Sequence, residues 1–363
     1  MLHTRVHASA RFHADWPDDP DAGATEGYSY LVYRVKPSLA KGDLNIVNLE
    51  TPLAVERHAQ SGTPAVFNGP PIVAGSLARA GFHVLSLANN HAYDQGIEGV
   101  VETRRAVLDA GLLPVGGGAG DGEARAPVFV ERNGVRIGIL AFTETVNRVT
   151  VRGPAGPDSP RVAIWRGDPD LEIVRAARRQ CDILVVAFHW GAEFAMTPNR
   201  FQRRTAAALC GEGVDLVLGA HSHTLQEVRR YDAPDESQCV VAYSLGNFLS
   251  NQGLKYRAGW ANPDPDIHES LPYTRDGALL RVTYEEDPEG RMRLASVQAV
   301  PLWTENNWLQ RFAVPDFRND VHVAPLYASM ADPERSARYA ALYRERLDEI
   351  RRALGDEVEI VPE

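Results

Sequence analysis

The chain alternates short apolar runs with amphipathic stretches, and four of the apolar runs end in side chains that can bind a metal ion. Short apolar runs predict buried β-strands, and strands that alternate with helices predict a largely parallel sheet. Because ligands bind beyond the carboxyl ends of the strands in such sheets, we expect the four run ends to share one edge. The run ends are Glu50, Asn89–His91, His189 and His221–His223.

The length and composition suit a globular α/β protein. The sequence has 363 residues, of which 44% are hydrophobic and 24% charged, so one large domain or two can bury a substantial core. The first half alternates strands with helices and the second half is richer in strands. This pattern predicts a parallel core extended by antiparallel strands, with helices outside.

Several local patterns predict individual elements. A β-hairpin is expected over 128–131 and 135–142, across the turn dipeptide Asn133-Gly134. Residues 11–30 and 304–331 are expected to be loops, and residues 28–40 a helix. A last helix should begin after Asp332 and end at Gly355, with an apolar stripe along one side.

Charge and cysteine content exclude some classes of protein. Acidic residues outnumber basic ones by 48 to 38, and the net charge of −10 argues against a nucleic-acid partner. The three cysteines are odd in number and widely spaced, which predicts unpaired core residues in a reducing compartment. No apolar run is long enough for a membrane helix and no signal peptide is visible, so the sequence as it stands predicts a cytoplasmic protein.

The residues at the run ends suit a transition metal better than calcium or magnesium. His221 and His223 are two residues apart, so their rings point the same way on an extended segment. Imidazoles combined with carboxylate and amide oxygens favour Mn, Fe or Zn. Five or more donors exceed one tetrahedral ion, which favours a dinuclear divalent metal centre of a hydrolase.

Each residue also has a simpler interpretation. A single histidine is more often a polar or capping residue than a ligand, and an asparagine pair such as Asn89-Asn90 commonly stabilises a turn. Because potential ligands follow four separate apolar runs, a shared metal site is favoured over four unrelated structural roles. The glycine-rich stretch 116–122 does not complete a nucleotide-binding motif and predicts a flexible connection.

Five segments in this order resemble the CapA family of poly-γ-glutamate capsule biosynthesis proteins, within the calcineurin-like metallophosphoesterase superfamily. The segments are NLETPL (48–53), ANNHAYDQG (88–96), HWGAEF (189–194), GAHSHTLQ (219–226) and YSLGNF (243–248). The resemblance implies a four-layer α/β/β/α sandwich over residues 1–303. Residues 304–363 add nothing to the resemblance, and we expect them to form a loop and helix extension packed on that domain. The resemblance also implies an anionic polymer or phosphoester substrate and contact with the capsule-synthesis machinery.

The resemblance implies a role for each matching residue. Glu50 takes the place of a bridging carboxylate, Asn90 of an amide ligand, and His91 of the catalytic histidine. His189, His221 and His223 resemble metal ligands. Asp94 and Glu193 resemble groups that orient imidazoles, and Asn247 lies near the site without an assigned role.

The family resemblance also implies a departure at the start of the chain. Family members open with an apolar strand that ends in Gly-Asp, whereas this sequence begins within the following motif, at Met1-Leu2-His3. The first strand and its metal-binding Asp are therefore expected to be missing, through a truncated start or through loss. Truncation is favoured, because loss would expose the edges of neighbouring strands. His3 is an additional candidate ligand, and family members often carry a signal or anchor upstream.

Two functions remain open at this point. The first is a metal-dependent hydrolase that cleaves a phosphoester or a poly-γ-glutamate-type amide bond. The second is a non-catalytic protein that handles or binds the polymer during capsule assembly on the same fold.

Overall fold

The computed structural model describes residues 4–55, 66–147, 159–232, 238–256, 271–308 and 317–362. The helices are α1 (Thr4–Phe12), α2 (Lys36–Leu39), α3 (Ile72–Ala80), α4 (Gly96–Asp109), α5 (Asp121–Arg125), α6 (Asp168–Arg178), α7 (Arg200–Gly211), α8 (Leu326–Ala331) and α9 (Pro333–Leu354). The strands are β1 (Ile46–Asn48), β2 (Val84–Ser86), β3 (Leu113–Val115), β4 (Gly117–Gly118), β5 (Val128–Arg132), β6 (Val135–Thr143), β7 (Arg161–Val162), β8 (Ile183–His189), β9 (Leu216–Ala220), β10 (Val228–Asp232), β11 (Gln238–Ala242), β12 (Asp276–Glu286), β13 (Met292–Asn306), β14 (Val321–Pro325) and β15 (Glu359–Ile360).

A six-stranded sheet in the order β10-β11-β9-β8-β6-β5 forms the largest layer. Its four inner strands are parallel, and the two outer strands β5 and β10 pair antiparallel to their neighbours. Every residue of β8 is buried, as expected for a strand that is covered on both faces. The hairpin between β5 and β6 forms as predicted, with Asn133 and Gly134 at φ 53° and 83°.

Two smaller sheets pack against one face of the six-stranded sheet. One is the parallel set β1-β2-β3, and the other is the antiparallel set β12-β13-β14, with β15 paired to β13. Val84 of the first set and Ala299 of the second lie in the same hydrophobic cluster as Val185 of β8. The two small sheets therefore form one layer that faces the large sheet.

Helices cover the two outer surfaces of this double layer. Val73 of α3 and Val107 of α4 pack with Leu85, on the outer face of β2. Leu209 of α7 packs with Val186, on the opposite face of the large sheet. The predicted α/β/β/α arrangement is confirmed, and it places the carboxyl ends of the strands of both sheets near one another.

The C-terminal region adds to these layers. The predicted stripe of α9 is buried, with Tyr343 and Ile350 fully enclosed in the cluster that both sheets share. The prediction of a loop over 304–331 was wrong, because this stretch contains β14 and α8. The fully buried β14 is stabilised by pairing with the preceding strand, β13, which local composition does not reveal. The division of the chain at residue 303 stays a prediction.

Other local predictions near the N-terminus were only partly correct. The predicted loop over 11–30 and helix over 28–40 contain the end of α1, three 3₁₀ turns and the short helix α2. The segment is nevertheless well packed, since Tyr30 and Leu31 are almost fully buried. The glycine-rich stretch 116–122 is not a plain connection, because it forms β4 and begins α5. In the described part of the chain, no helix combines the length and the hydrophobicity that crossing a membrane requires.

The cysteine prediction was wrong for two of the three residues. Cys210, in the last turn of α7, forms a disulfide with Cys239 of β11, and both are buried. The fold brings their Cα atoms within 5.6 Å although they are 29 residues apart in sequence. Cys181 remains a free thiol. The pairing depends on α7 packing on the large sheet, which cysteine spacing alone does not indicate.

We expect reduction of this disulfide to lower the free energy of unfolding. In the chain-entropy model, a cross-link that closes a loop of this length lowers the entropy of the unfolded chain, and this stabilises the folded protein by about 3–4 kcal/mol. Chemical denaturation of Cys210→Ala/Cys239→Ala, compared with the matched control Cys181→Ala, measures the difference. Thiol counting under denaturing, non-reducing conditions should find one free thiol, and finding three would contradict the assignment.

Candidate metal centre

Four strand ends meet at one edge of the two facing sheets. Glu50 follows β1 by two residues, and Asn90 and His91 follow β2. His189 is the last residue of β8, and its Cα is in register with Ala220 at the end of β9, directly before His221. Parallel pairing of β8 with β9 therefore brings two of the imidazoles together, and β1 and β2 supply the remaining groups from the facing sheet.

Donor atoms from these ends converge over short distances. Glu50 Oε1 lies 3.6 Å from His189 Nε2 and 3.7 Å from His223 Nε2. His189 Nε2 also lies 2.9 Å from Asn90 Oδ1. Glu50, His189 and His221 each contribute one donor atom, and these three atoms all lie within 4.8 Å of one another. This set is large enough to hold one divalent cation.

Two buried atoms in this cluster have no hydrogen-bond partner, and they are Glu50 Oε1 and His221 Nδ1. Glu50 is only 8% exposed. A buried carboxylate or imidazole nitrogen without a partner costs free energy, and a cation bound between them removes that cost. The unpaired atoms therefore fit a metal ion.

Burial also sets the charge of the cluster. It raises the pKa of Glu50 to about 7, against the opposing effect of the nearby His91. It lowers the pKa of His221 to about 4 and that of His223 to about 3, and it holds the pKa of His189 well below its usual value. The three imidazoles are therefore neutral near pH 7, the form in which histidine binds metals.

His91 has a different environment from the other three histidines. Its Nδ1 lies 2.7 Å from Asp94 Oδ2, and the same oxygen accepts a hydrogen bond from the Phe67 N–H at 2.7 Å. The Phe67 ring packs against the imidazole, with ring centroids 4.4 Å apart. Burial lowers the pKa of His91, but the hydrogen bond to Asp94 and the charge of Glu50 outweigh it, so the net shift is upward.

Asn247 orients His223. Its Oδ1 accepts from His223 Nδ1 at 3.1 Å, while its Nδ2 donates to the Thr274 carbonyl and to Gln252 Oε1. The hydrogen bond assigns the ring proton to Nδ1, and it leaves Nε2 directed toward Glu50 with a free lone pair. Asn247 therefore has the supporting position that the resemblance left unassigned.

The backbone around the cluster is strained. His221, His223 and Phe194 have φ values of 102°, 57° and 63°, in the left-handed region that non-glycine residues rarely adopt. Such residues cost roughly 1–3 kcal/mol each and are held in place by surrounding structure. The His-x-His segment is therefore not extended as predicted, although both imidazoles still lie close to Glu50.

Glu193 and His3 do not join the cluster in the same way. Glu193 is exposed, and among the described residues no hydrogen bond joins it to an imidazole, although its charge acts on Glu50 and His91. His3 lies outside the described residues. The orienting role of Glu193 and the ligand role of His3 stay predictions.

Sequence reasoning missed three residues that line the site. Asn48 Nδ2 lies 3.5 Å from His189 Nδ1, and Asn147 Nδ2 lies 3.5 Å from the ring nitrogens of His91. Phe67, already described, is the third. Asn48 is the last residue of β1, two residues before Glu50. No local pattern points to Asn147 or Phe67.

The family model that matches this chain covers more than half of it. Residues 1–252 match the family model described as bacterial capsule synthesis protein PGA_cap. The PGA biosynthesis protein CapA of Bacillus subtilis is 29% identical over 278 residues, which cover 75% of this chain and 66% of that protein. The capsule biosynthesis protein CapA of Bacillus anthracis is 30% identical over 236 residues, which cover 62% of this chain and 55% of that protein. The match thus spans less than two thirds of either relative.

Two further similarities are more distant. A probable polyglutamine synthesis accessory protein of Mycobacterium tuberculosis is 27% identical over 286 residues, covering 76% of this chain and 69% of that protein. Among solved structures, a hypothetical protein from Thermus thermophilus aligns with 14% identity and a TM-score of 0.44, over 76% of this chain and 93% of the other.

We expect Glu50→Gln to weaken Mn²⁺ or Zn²⁺ binding by about tenfold or more, since even residues that only support ligands contribute on that scale. Glutamine keeps the size of the side chain but removes the charge of the buried carboxylate. Isothermal titration of the metal-free protein measures the affinity. Glu131→Gln, on an exposed position of β5, is the matched control and should bind as the unmodified protein does. Equal affinity in all three proteins would exclude Glu50 as a ligand.

Proposed function

The chain belongs to the bacterial capsule synthesis family PGA_cap, and we propose that it is a metal-dependent hydrolase that serves capsule or poly-γ-glutamate synthesis. One observation carries the proposal. Three neutral imidazoles, a carboxylate and an amide from four separate strand ends converge, and two of their buried atoms lack a partner. A set of donors that is buried and unsatisfied is typical of a metal site rather than of a structural hydrogen-bond network.

The metal-binding residues follow from the donor atoms. Glu50, His189 and His221 would hold one divalent cation. Asn90 and His223 would add donors for a second cation. Mn, Fe or Zn suits this mixture of nitrogen and oxygen donors. When bound, such a cation stabilises negative charge on the reacting group and makes a water molecule more acidic.

On this proposal, His91 is the proton donor. Hydrolysis adds water across the bond, so the leaving oxygen or nitrogen must gain a proton. Asp94 holds His91 by Nδ1, which leaves Nε2 available to donate that proton. Phe67 covers one side of the ring and limits its exposure to water, and His91 is only 6% exposed.

The substrate class is an anionic polymer or phosphoester, and the bond is a phosphoester or a poly-γ-glutamate-type amide. A phosphoryl or carboxyl oxygen of such a substrate would bind to the cation. The names of the Bacillus relatives, a PGA biosynthesis protein and a capsule biosynthesis protein, support this context. Contact with capsule-synthesis machinery belongs to the same proposal.

A non-catalytic role is the second candidate. The Mycobacterium tuberculosis relative is named a probable accessory protein. In the described part of the chain, the cluster of three mutually close acidic and histidine donors is sufficient for one cation only. On this alternative the cation would help to bind polymer carboxylates, and no bond would be cleaved.

We expect His91→Asn to lower the rate of hydrolysis by about a hundredfold or more, because a positioned general acid contributes roughly 10²–10⁴-fold. The assay uses poly-γ-glutamate and a generic phosphodiester with added Mn²⁺. His13→Asn, which alters a histidine hydrogen-bonded to the Ser9 carbonyl on α1, is the control and should leave the rate unchanged. Polymer binding without turnover in the unmodified protein would instead support the non-catalytic alternative.

Asp94 and Glu193 should differ in effect, because only Asp94 touches His91. We expect Asp94→Asn to lower kcat by roughly tenfold to a hundredfold with little change in KM, since misorientation of His91 affects the reaction step more than binding. Glu193→Gln should change kcat by less than about threefold, because exposed charges interact weakly. A larger effect from Glu193→Gln than from Asp94→Asn would contradict this assignment.

A further inference from the structure

The segment that follows β6 links two of the strand ends that carry the site. Glu144 N–H donates to the His189 carbonyl at 2.8 Å, and Asn147 N–H donates to the Asn90 carbonyl at 2.8 Å. The first bond attaches residues 144–147 to the end of β8, and the second attaches them to the segment after β2 in the facing sheet. The backbone at Asn147 is therefore held by the same strand ends that supply the donor cluster.

The side chain of Asn147 lies against the imidazole of His91. Its Nδ2 is 3.5 Å from Nδ1 and 3.5 Å from Nε2 of that ring. An atom at the same distance from both ring nitrogens does not lie along the N–H or lone-pair direction of either one, so these contacts are not well-directed hydrogen bonds. Asn147 is partly exposed, so a molecule from solvent can reach it.

Other asparagines of the site use their side chains within the protein. Asn89 Nδ2 donates to the Leu49 carbonyl, and its Oδ1 accepts from the backbone N–H of His91. The Asn247 amide is likewise occupied on both its oxygen and its nitrogen. Among the residues that the structure describes, the Asn147 amide has polar contacts with His91 only. It therefore retains the capacity to bind a ligand.

Two proton donors lie close together at His91 Nε2. When His91 serves as the proton donor, both of its ring nitrogens carry protons, and Nδ1 donates to Asp94. The amide nitrogen of Asn147 is also a donor and cannot accept the proton of Nε2. The two donor atoms are 3.5 Å apart, so an acceptor that approaches Nε2 also comes near the amide. The reacting group of a substrate, which carries several oxygens, supplies such acceptors.

We propose that Asn147 is a substrate-binding residue, and that its side-chain N–H donates to an oxygen of the reacting phosphoryl or acyl group. The inference rests on the hydrolase proposed above. Hydrolysis joins the oxygen of water to phosphorus or to the carbonyl carbon and breaks the bond to the leaving group. The leaving atom takes a proton from His91, and the attacking water loses one to solvent. Asn147 keeps its protons, and its hydrogen bond strengthens as negative charge develops on the oxygen that remains.

The alternative is that Asn147 only positions His91, as Asp94 does. The two roles differ in how they depend on the leaving group. A residue that acts through the proton donor matters less when the leaving group is acidic enough to depart without a proton. A residue that binds the remaining oxygen matters equally for good and poor leaving groups. Leaving-group dependence therefore separates substrate binding from positioning.

The experiment compares methyl 4-nitrophenyl phosphate with methyl phenyl phosphate, which differ only in the acidity of the leaving group. With the Mn²⁺-loaded protein, Asn147→Ala should lower kcat/KM by about tenfold or more, and by the same factor for both esters, because it removes one donor to the developing charge. His91→Asn should lower the rate much more for methyl phenyl phosphate. Gln180→Ala removes another amide, at an exposed position just after α6, and should behave as the unmodified protein does.

A binding measurement tests Asn147 without turnover. Isothermal titration of inorganic phosphate into the Zn²⁺-loaded proteins should show about tenfold weaker binding by Asn147→Ala, since one hydrogen bond to a charged acceptor is lost. The affinity for Zn²⁺ itself should not change, because Asn147 is not one of the cluster's donors. Asn147→Asp keeps the size of the side chain but replaces the donor with an acceptor, and it should bind phosphate more weakly still.

The outcomes distinguish this inference from the proposed function. Turnover that is unaffected by Asn147→Ala, or a loss confined to methyl phenyl phosphate, would overturn the substrate contact and leave the hydrolase intact. Equal phosphate affinity in the unmodified protein and both Asn147 variants, or no phosphate binding at all, would also overturn the contact. Absence of turnover of both esters and of poly-γ-glutamate, together with weaker phosphate binding by both variants, would contradict the hydrolase but support the contact.

Discussion

The parallel pairing of β8 with β9 is the interaction on which the rest of the site depends. This pairing brings the end of β8, His189, level with Ala220, so that the next residue of the chain, His221, meets it from the adjacent strand. Both strands are apolar, and every residue of β8 is buried. A shift of one residue would turn every side chain of the strand to the opposite face. Packing in the core and the geometry of the donor atoms are thus set by the same register.

Elements with strong local sequence patterns could be predicted, whereas elements that depend on pairing with other parts of the chain could not. The hairpin from β5 to β6 and the helix α9 have turn residues, caps and periodicity within their own sequence. β14 has no local pattern that marks it as a strand, and it is stabilised by pairing with β13. The disulfide between Cys210 and Cys239 has the same origin, since the packing of α7 on the large sheet brings the two residues together.

The candidate site shows the same division. Residues at strand ends, such as Glu50 and His189, were predictable because the end of an apolar run has a fixed place in a parallel sheet. Asn147 and Phe67 approach His91 from irregular segments whose paths depend on the whole fold. Asn48 is only two residues from Glu50 in sequence, but an isolated asparagine has many structural roles and does not by itself indicate a metal site.

The left-handed backbone at His221 and His223 has a consequence for engineering. Glycine at either position would relax the main chain, so a screen that selects only for thermal resistance would favour replacing these histidines. Each such replacement would also remove an imidazole from the cluster. Thermal stability and metal binding therefore favour different residues at these two positions. A library designed to raise stability should keep both histidines unchanged.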